Sequence, residues 1–208
     1  MRVVCFSDTH KNHEELVVPD GDVLVFGGDM SGRGSLRSVI QFNRWIGTQP
    51  HKHKIVIAGN HDWAFRKFGN LTRSELTNAT YLEDSRVIID GVTFYGSPWQ
   101  PEFCGWAFNL PRGGQLKHKW SCIPDETNVL ITHSPPHGIG DFSIIGNEHC
   151  GCEDLLDRTK ELNDLKLHVF GHIHYSYGLT EIDGVSYVNA SSCDEEYRIT
   201  NPPIVVDI

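Results

Sequence analysis

The chain has 208 residues, 39% of them hydrophobic, and a formal net charge of −9. That length and apolar content suffice for one domain, residues 1–208, with a sizeable core. No run approaches the ~18 consecutive apolar residues of a membrane helix, and an acidic balance without a Lys/Arg block disfavours long duplex nucleic acid as a partner.

In chain order, an apolar strand is expected at 2–7, entered directly from Met1-Arg2, which is not the pattern of a signal peptide. The six cysteines then read as reduced thiols of a cytoplasmic protein. Cys150-Gly151-Cys152 lacks the paired spacing of a zinc site, so a structural role is expected there. A second strand at 22–27 leads to Gly27-Gly28-Asp29. Ser35 reads as the N-cap of a helix with apolar Leu36, Val39, Ile40, Phe42, Trp45 and Ile46, stopped by Gly47. A third strand at 54–58 delivers Asn60 and His61. The pattern then changes to hairpins: Asp90-Gly91 and Asp183-Gly184 each separate two strand-like runs. A helix near 152–163 feeds a strand at 166–170. Alternating units followed by hairpins suggest an α/β fold of two packed sheets flanked by helices.

Five polar groups stand where short Val/Ile-rich runs end: Asp8-Thr9-His10, Gly28-Asp29, Gly59-Asn60-His61-Asp62, Thr132-His133 and Gly171-His172-Ile173-His174. Such runs read as buried strands, and in open α/β sheets a site lies beyond the carboxyl ends of the strands. The groups therefore converge. Together they offer Asp8, His10, Asp29, Asn60, His133, His172 and His174 as metal ligands, enough for two ions, with His61 to spare. Mixed N/O ligands suit Mn, which is favoured, or its alternatives Fe and Zn, better than Ca or an all-oxygen Mg site.

This ordered set resembles the calcineurin-like metallophosphoesterase superfamily, over nearly the whole chain from Asp8 to His174. Lys54 to His61, Tyr95 to Pro101, Trp106 to Asn109 and Thr132 to Pro136 are similar to its small branch of metallophosphoesterase-domain-containing proteins. The resemblance implies a four-layer sandwich of two mixed β-sheets flanked by helices. It also implies that Asp29 bridges two divalent metals, one held with Asp8, His10 and His174, the other with Asn60, His133 and His172. Some members of the branch carry glycine where His172 stands and are weak enzymes; this chain keeps the histidine, which argues for full activity.

Two cations can activate a water between them and neutralise a phosphate. His61 is then the candidate catalytic histidine, facing substrate and protonating the departing alkoxide, with Asp62 expected to fix its tautomer. Substrate contacts are expected from Asn12, two residues beyond His10, from Arg112, whose guanidinium fork matches phosphate oxygens, and from His137 after Pro135-Pro136. The aromatic stretch from Pro98 to Pro124, with Trp99 and Trp106, is expected to be a long loop that walls the pocket and stacks on a nucleobase. His51 and His53 are expected to be solvated.

The expected activity is metal-dependent hydrolysis of a small phosphodiester. The branch resemblance implies cyclic nucleotides, and the 2′,3′-cyclic class is favoured because a strained five-membered ring fits a chain without a cap domain. A phosphomonoesterase or protein phosphatase on the same metals is the alternative. It needs extra cations at the pocket, for which Arg112, Arg33 and Lys11 are the suppliers. A non-catalytic scaffold on the same fold is disfavoured because every ligand position holds a competent residue.

Overall fold

The computed structural model describes all 208 residues. Its first half contains β1 (Arg2–Phe6), β2 (Val23–Phe26), α1 (Leu36–Thr48), β3 (His53–Val56), α2 (Trp63–Phe68), α3 (Asn70–Glu75), β4 (Thr80–Tyr81), β5 (Ser85–Ile89) and β6 (Val92–Ser97). Then come β7 (Gln100–Pro101), β8 (Asn109–Leu110), α4 (Gly114–Ser121), β9 (Val129–Thr132), β10 (Phe142–Ser143), β11 (Glu148–His149) and α5 (Glu153–Glu161). The chain ends with β12 (Leu167–Phe170), β13 (Gly178–Ile182), β14 (Val185–Asn189) and β15 (Ile204–Asp207).

Two mixed sheets dominate. One has the order β15-β1-β2-β3-β4, the other β13-β14-β12-β9-β6-β5. In the first, β1 to β4 run parallel and β15 joins antiparallel to β1. In the second, β6, β9, β12 and β14 run parallel, with hairpin partners at both edges.

Strand alternation sorts the apolar residues into layers. Val3, Cys5, Val23, Val25, Ile55 and Ile57 of the first sheet cluster with Phe94, Val129, Ile131, Leu167 and Val169 of the second. Their neighbours Val4, Phe6, Leu24 and Phe26 turn to the other face, among Val39, Phe42, Trp45 and Ile46 of α1. Tyr95 and Leu130 likewise lie among Leu116 and Trp120 of α4 and Leu155 of α5. The result is helices, sheet, sheet, helices: the expected four-layer sandwich.

Both Asp-Gly hairpins form. Asp90 and Gly91 have φ of 48° and 82°, and Asp183 and Gly184 have 51° and 81°, the paired left-handed conformation of a two-residue turn. Ser35 caps α1, its side chain accepting from Ser38 N–H. Gly47 does not end that helix, which continues to Thr48. A Cβ at Gly47 would meet the Asn78 side chain at 2.6 Å, so close approach rather than helix termination requires glycine there.

Two further expectations are corrected. The Pro98–Pro124 stretch is not one irregular loop: it pairs β7 with β8 and forms α4. Its aromatic residues divide accordingly, with Trp99, Phe108 and Trp120 in the core. His51 is buried rather than solvated, its Nε2 at 3.0 Å from Pro19 O, and His53 is half-buried.

Candidate metal centre

The five polar groups do converge, at the carboxyl ends of β1, β2, β3, β9 and β12. The loops after β1 and β2 stay paired beyond the strands, through Asp8 N–H to Gly28 O at 2.9 Å and His10 N–H to Asp29 O at 3.0 Å. The backbone is left-handed at Asp8, His10, Asp29 and His172, with φ of 52°, 42°, 63° and 70°. Such conformations cost energy outside glycine and concentrate at functional sites. The glycines preceding two ligands are steric requirements. A Cβ at Gly59 would collide with the Asp29 carboxylate, and one at Gly171 with the side chains of Asp8 and Ser7.

Each carboxylate has one oxygen anchored and one free. Asp8 Oδ2 accepts from Ser7 Oγ at 2.5 Å, His172 N–H at 3.0 Å and Ser191 Oγ at 3.2 Å. Asp8 Oδ1 is buried with no hydrogen-bond partner. Asp29 Oδ1 accepts from His61 N–H at 2.8 Å, while its Oδ2 lies 3.5 Å from His133 Nε2, 3.9 Å from His10 Nε2 and 4.0 Å from His61 Nε2.

The histidines are oriented by backbone carbonyls. Nδ1 of His10, His61, His133 and His174 faces Ser31 O at 3.3 Å, Gly32 O at 2.6 Å, Gly27 O at 3.0 Å and Asp194 O at 3.0 Å. A carbonyl only accepts, so each Nδ1 carries the hydrogen and each Nε2 is the edge turned to the site. There His10 Nε2 is 3.3 Å from His174 Nε2, and His133 Nε2 is 2.8 Å from Asn60 Oδ1. Donor atoms of Asp8, His10 and His174 lie within 4.8 Å of one another, as do those of Asp8, Asp29 and His133. His172 stands at the edge of the group, its ring 5.0 Å from that of His133 and 5.2 Å from Phe103.

Electrostatics show that the centre demands positive charge. Burial pushes Asp29 up, but His133, His61 and His10 outweigh it and hold the carboxyl at about 2. Asp8 is likewise held well below the usual carboxylate range: burial is overcome by His174, His133 and His10. Burial lowers His133 and His174, yet Asp29 and Asp8 respectively raise each to about 9. Burial wins at His10, which falls to about 4, and at His172, which falls to about 3. Protons on His133 and His174 thus supply a charge that cations would supply instead, displacing those protons on binding. An orphaned Asp8 oxygen and converging Nε2 edges fit divalent metals.

The expected substrate contacts fare unevenly. Trp106 stacks on His61, ring centroids 4.2 Å apart and planes at 22°, and lines a cavity of about 470 Å³ over the Asp/His cluster. Trp99 does not line it: its Nε1 donates to Asp84 at 2.9 Å, and Lys119 and Arg66 sit over its ring. Asn12 does not line the cavity, and one of its amide N–H groups donates to Tyr197 O at 2.7 Å, which turns the amide toward that loop. His137 stands outside the cavity, facing Asp141 and Glu153. Arg112 reaches the cavity, but its guanidinium donates to Cys150 O at 2.9 Å, to Gly151 O at 2.8 Å and to Glu153 at 2.5 Å. The clamp on phosphate is therefore a clamp on backbone.

Asp62 is also corrected. It does not touch the His61 ring, whose Nδ1 is taken by Gly32 O. Instead its buried carboxylate accepts from the backbone N–H of Asp29, Met30, Ser31 and Gly59 at 2.9 to 3.3 Å, and from Ser31 Oγ at 2.7 Å. Asp62 staples the Asp29 loop to the Asn60 loop and positions both. Burial, with the Asp29 charge, pushes it up to about 6 against those donors.

Tyr197 was not foreseen. It lines the cavity, its ring 4.6 Å from His10 and 5.9 Å from His174, with φ of 61°. Nothing in the local sequence marks it, because a turn built on Asp194 brings it there. Asp194 O accepts from Tyr197 N–H at 3.0 Å, and Asp194 Oδ1 from Glu196 and Arg198 N–H at 3.0 and 2.9 Å.

A fold of this layering with a buried Asp/His/Asn cluster at its strand ends defines a metal-dependent hydrolase of phosphate esters. The chain belongs to the calcineurin-like phosphoesterase family, whose model matches residues 1–176. It is 42% identical to the human metallophosphoesterase domain-containing protein 1 over 230 aligned residues, covering 100% of this chain and 71% of that protein. A UPF0046 protein of Caenorhabditis elegans is 39% identical, with coverage of 100% and 81%. A solved crystal structure superposes with a TM-score of 0.68 at 17% identity, covering 90% of this chain and 89% of its own, a likeness of fold. The family is one of dinuclear metal-dependent phosphoesterases, and no helix of this chain is long and apolar enough to cross a membrane.

Proposed function

We propose that this metallophosphoesterase is a phosphodiesterase acting on cyclic nucleotides, with 2′,3′-cyclic nucleotides preferred to 3′,5′ ones. The observation that carries the reading is the charge around the cavity. Glu102, Glu148 and Glu195 line it, and its one Lys/Arg side chain, Arg112, is committed to two carbonyls and a carboxylate. Lys11 and Arg33 do not line it. A dianionic monoester would meet acidic walls with no free cation to offset its second charge. A diester carries one charge and needs no arginine.

Asp8, His10, Asp29 and His174 would hold one cation, and Asp29, Asn60, His133 and His172 the other, with Mn²⁺ favoured and Fe or Zn as alternatives. When bound, such ions activate water and neutralise phosphate charge. The chain's own residues do the rest. His61 presents Nε2 to the cavity, and in its doubly protonated form it can pass the Nε2 proton to the departing ribose oxygen, keeping the Nδ1 hydrogen on Gly32 O. Trp106 fixes the His61 ring by stacking, and Ala107 N–H to Asn60 O at 3.2 Å ties that aromatic segment to a ligand loop. Phe103 and Tyr197 offer further aromatic faces for a base.

Kinetics with Mn²⁺ on 2′,3′- and 3′,5′-cyclic nucleotides, bis-p-nitrophenyl phosphate and p-nitrophenyl phosphate test the reading. The highest kcat/KM among the nucleotides is expected for 2′,3′-cyclic AMP or GMP. A kcat/KM for p-nitrophenyl phosphate above that of every cyclic nucleotide would replace the diesterase by a phosphatase.

A further inference from the structure

We propose that His149 is a specificity-determining residue of this site, accepting a hydrogen bond through Nε2 from a hydroxyl or N–H on the organic part of the substrate. The proposal rests on the diesterase reading above and adds the group that selects which diester is taken.

His149 lines the cavity together with Ser143, Glu148 and Cys150. Its Nδ1 lies 2.6 Å from Asp141 Oδ1. Asp141 is only 1% exposed, and its second oxygen accepts from Gly138 N–H at 2.9 Å and Gly151 N–H at 3.0 Å. A carboxylate in that setting only accepts, so the hydrogen of His149 sits on Nδ1 and Nε2 carries the lone pair. The ring meets Phe142 and His137 edge to face, at 5.3 and 5.5 Å between centroids. Those contacts leave Nε2 without a protein partner.

The backbone under His149 is held as firmly as the ring. Cys150 N–H donates to Asp141 O at 3.0 Å, and Arg112 grips the carbonyls of Cys150 and Gly151. A buried carboxylate and an arginine together orient one imidazole whose side chain remains 46% exposed. The imidazole is thus aimed by its carboxylate with Nε2 left open. In that tautomer Nε2 is an acceptor, which matches a ribose hydroxyl, a base amino group or a glycerol hydroxyl. It offers nothing to an ester without donors.

The test compares 2′,3′-cyclic AMP, which carries hydroxyl and amino donors, with bis-p-nitrophenyl phosphate, which carries none. In His149→Ala the ratio of kcat/KM for the two should fall about 3- to 10-fold, as for a lost neutral hydrogen bond, with the change in KM. His149→Phe, which keeps the ring packing, should show the same fall, and His149→Gln, with an acceptor oxygen, should recover part of it. Metal content and melting temperature identify folded variants, and the Phe variant decides if Ala fails to fold. An unchanged ratio, whether both substrates fall or neither does, would overturn the proposal. Wild-type protein that cleaves bis-p-nitrophenyl phosphate but no cyclic nucleotide would defeat the substrate reading instead. The same ratio is then taken with glycerophosphoethanolamine, whose hydroxyl and amine donors carry the same expectation for His149.

Discussion

The floor and the walls of the cavity are built on opposite principles. The floor is Asp8, His10, Asp29, Asn60, His61, His133 and His174, buried or nearly so at the ends of parallel strands. Almost every atom there that does not face the centre is tied to backbone or to a hydroxyl, including four imidazole Nδ1 edges. The walls are short irregular segments, with Phe103 and Tyr197 39% and 46% exposed and Glu102, Glu148 and His149 among them. Their residues are held by packing on the floor histidines and by each other. A floor of this kind stores strain and charge and admits little substitution. On the diesterase reading, the walls are the part that meets the organic group of a substrate.

Breaking the floor should have the largest effects. Asp29→Ala removes the shared carboxylate beside His10, His61 and His133. It should empty or disorder both metal positions and reduce turnover to background, as read by metal analysis and kinetics. His61→Ala should keep both metals and lower kcat by about 10²–10⁴-fold, the range for a lost acid–base group. The loss should shrink for p-nitrophenyl esters, whose leaving group scarcely needs a proton. Equal losses for alkyl and nitrophenyl leaving groups would assign His61 to charge stabilisation.

His172 stands where floor meets wall. His172→Gly should weaken one metal and lower activity, with partial recovery at high Mn²⁺ in a metal titration. Unchanged turnover at limiting metal would remove this imidazole from the ligand set. On the wall, Trp106→Ala should release the His61 ring and impair catalysis, while Trp99→Ala should chiefly lower the melting temperature. Trp99 packs in the core with its Nε1 on Asp84. A catalytic defect in Trp99→Ala without loss of stability would return that residue to the pocket.

The smallest effect concerns histidines of neither region. Burial lowers His13, packed between Phe42 and Trp45, to about 4, and His168, at 2.8 Å from Thr132 Oγ1, to about 3. In the unfolded chain both titrate near 6.5, so below that pH the unfolded state binds protons that the folded state does not. Stability should therefore fall as pH drops from about 6.5 toward 3, and urea midpoints measured across that window check the sign. His168→Gln should flatten its share of the slope.

The floor was legible in the sequence because its signal is local: a ligand-type residue directly after a Val/Ile run, often behind a glycine. The same locality explains the errors. Asp62 follows His61 directly, yet at the start of α2 the two side chains point to different partners, and adjacency says nothing about direction. Trp99 and Trp106 look alike in sequence. The pairing of β7 with β8 sends one inward and leaves the other against His61. Arg112 had the right chemistry for phosphate, but its partners lie 38 to 41 residues away. Tyr197 and the Asp141–His149 pair depend on turns without periodicity, so neither could be read before the fold was known.

Two metal ions are expected to share Asp29. Crystals of Mn²⁺-loaded protein, measured at the manganese edge, test it directly. Two anomalous peaks are expected to flank the Asp29 carboxylate, one beside Asp8, His10 and His174, the other beside Asn60, His133 and His172. A single peak, with Asn60 and His172 far from it, would rule out a shared Asp29.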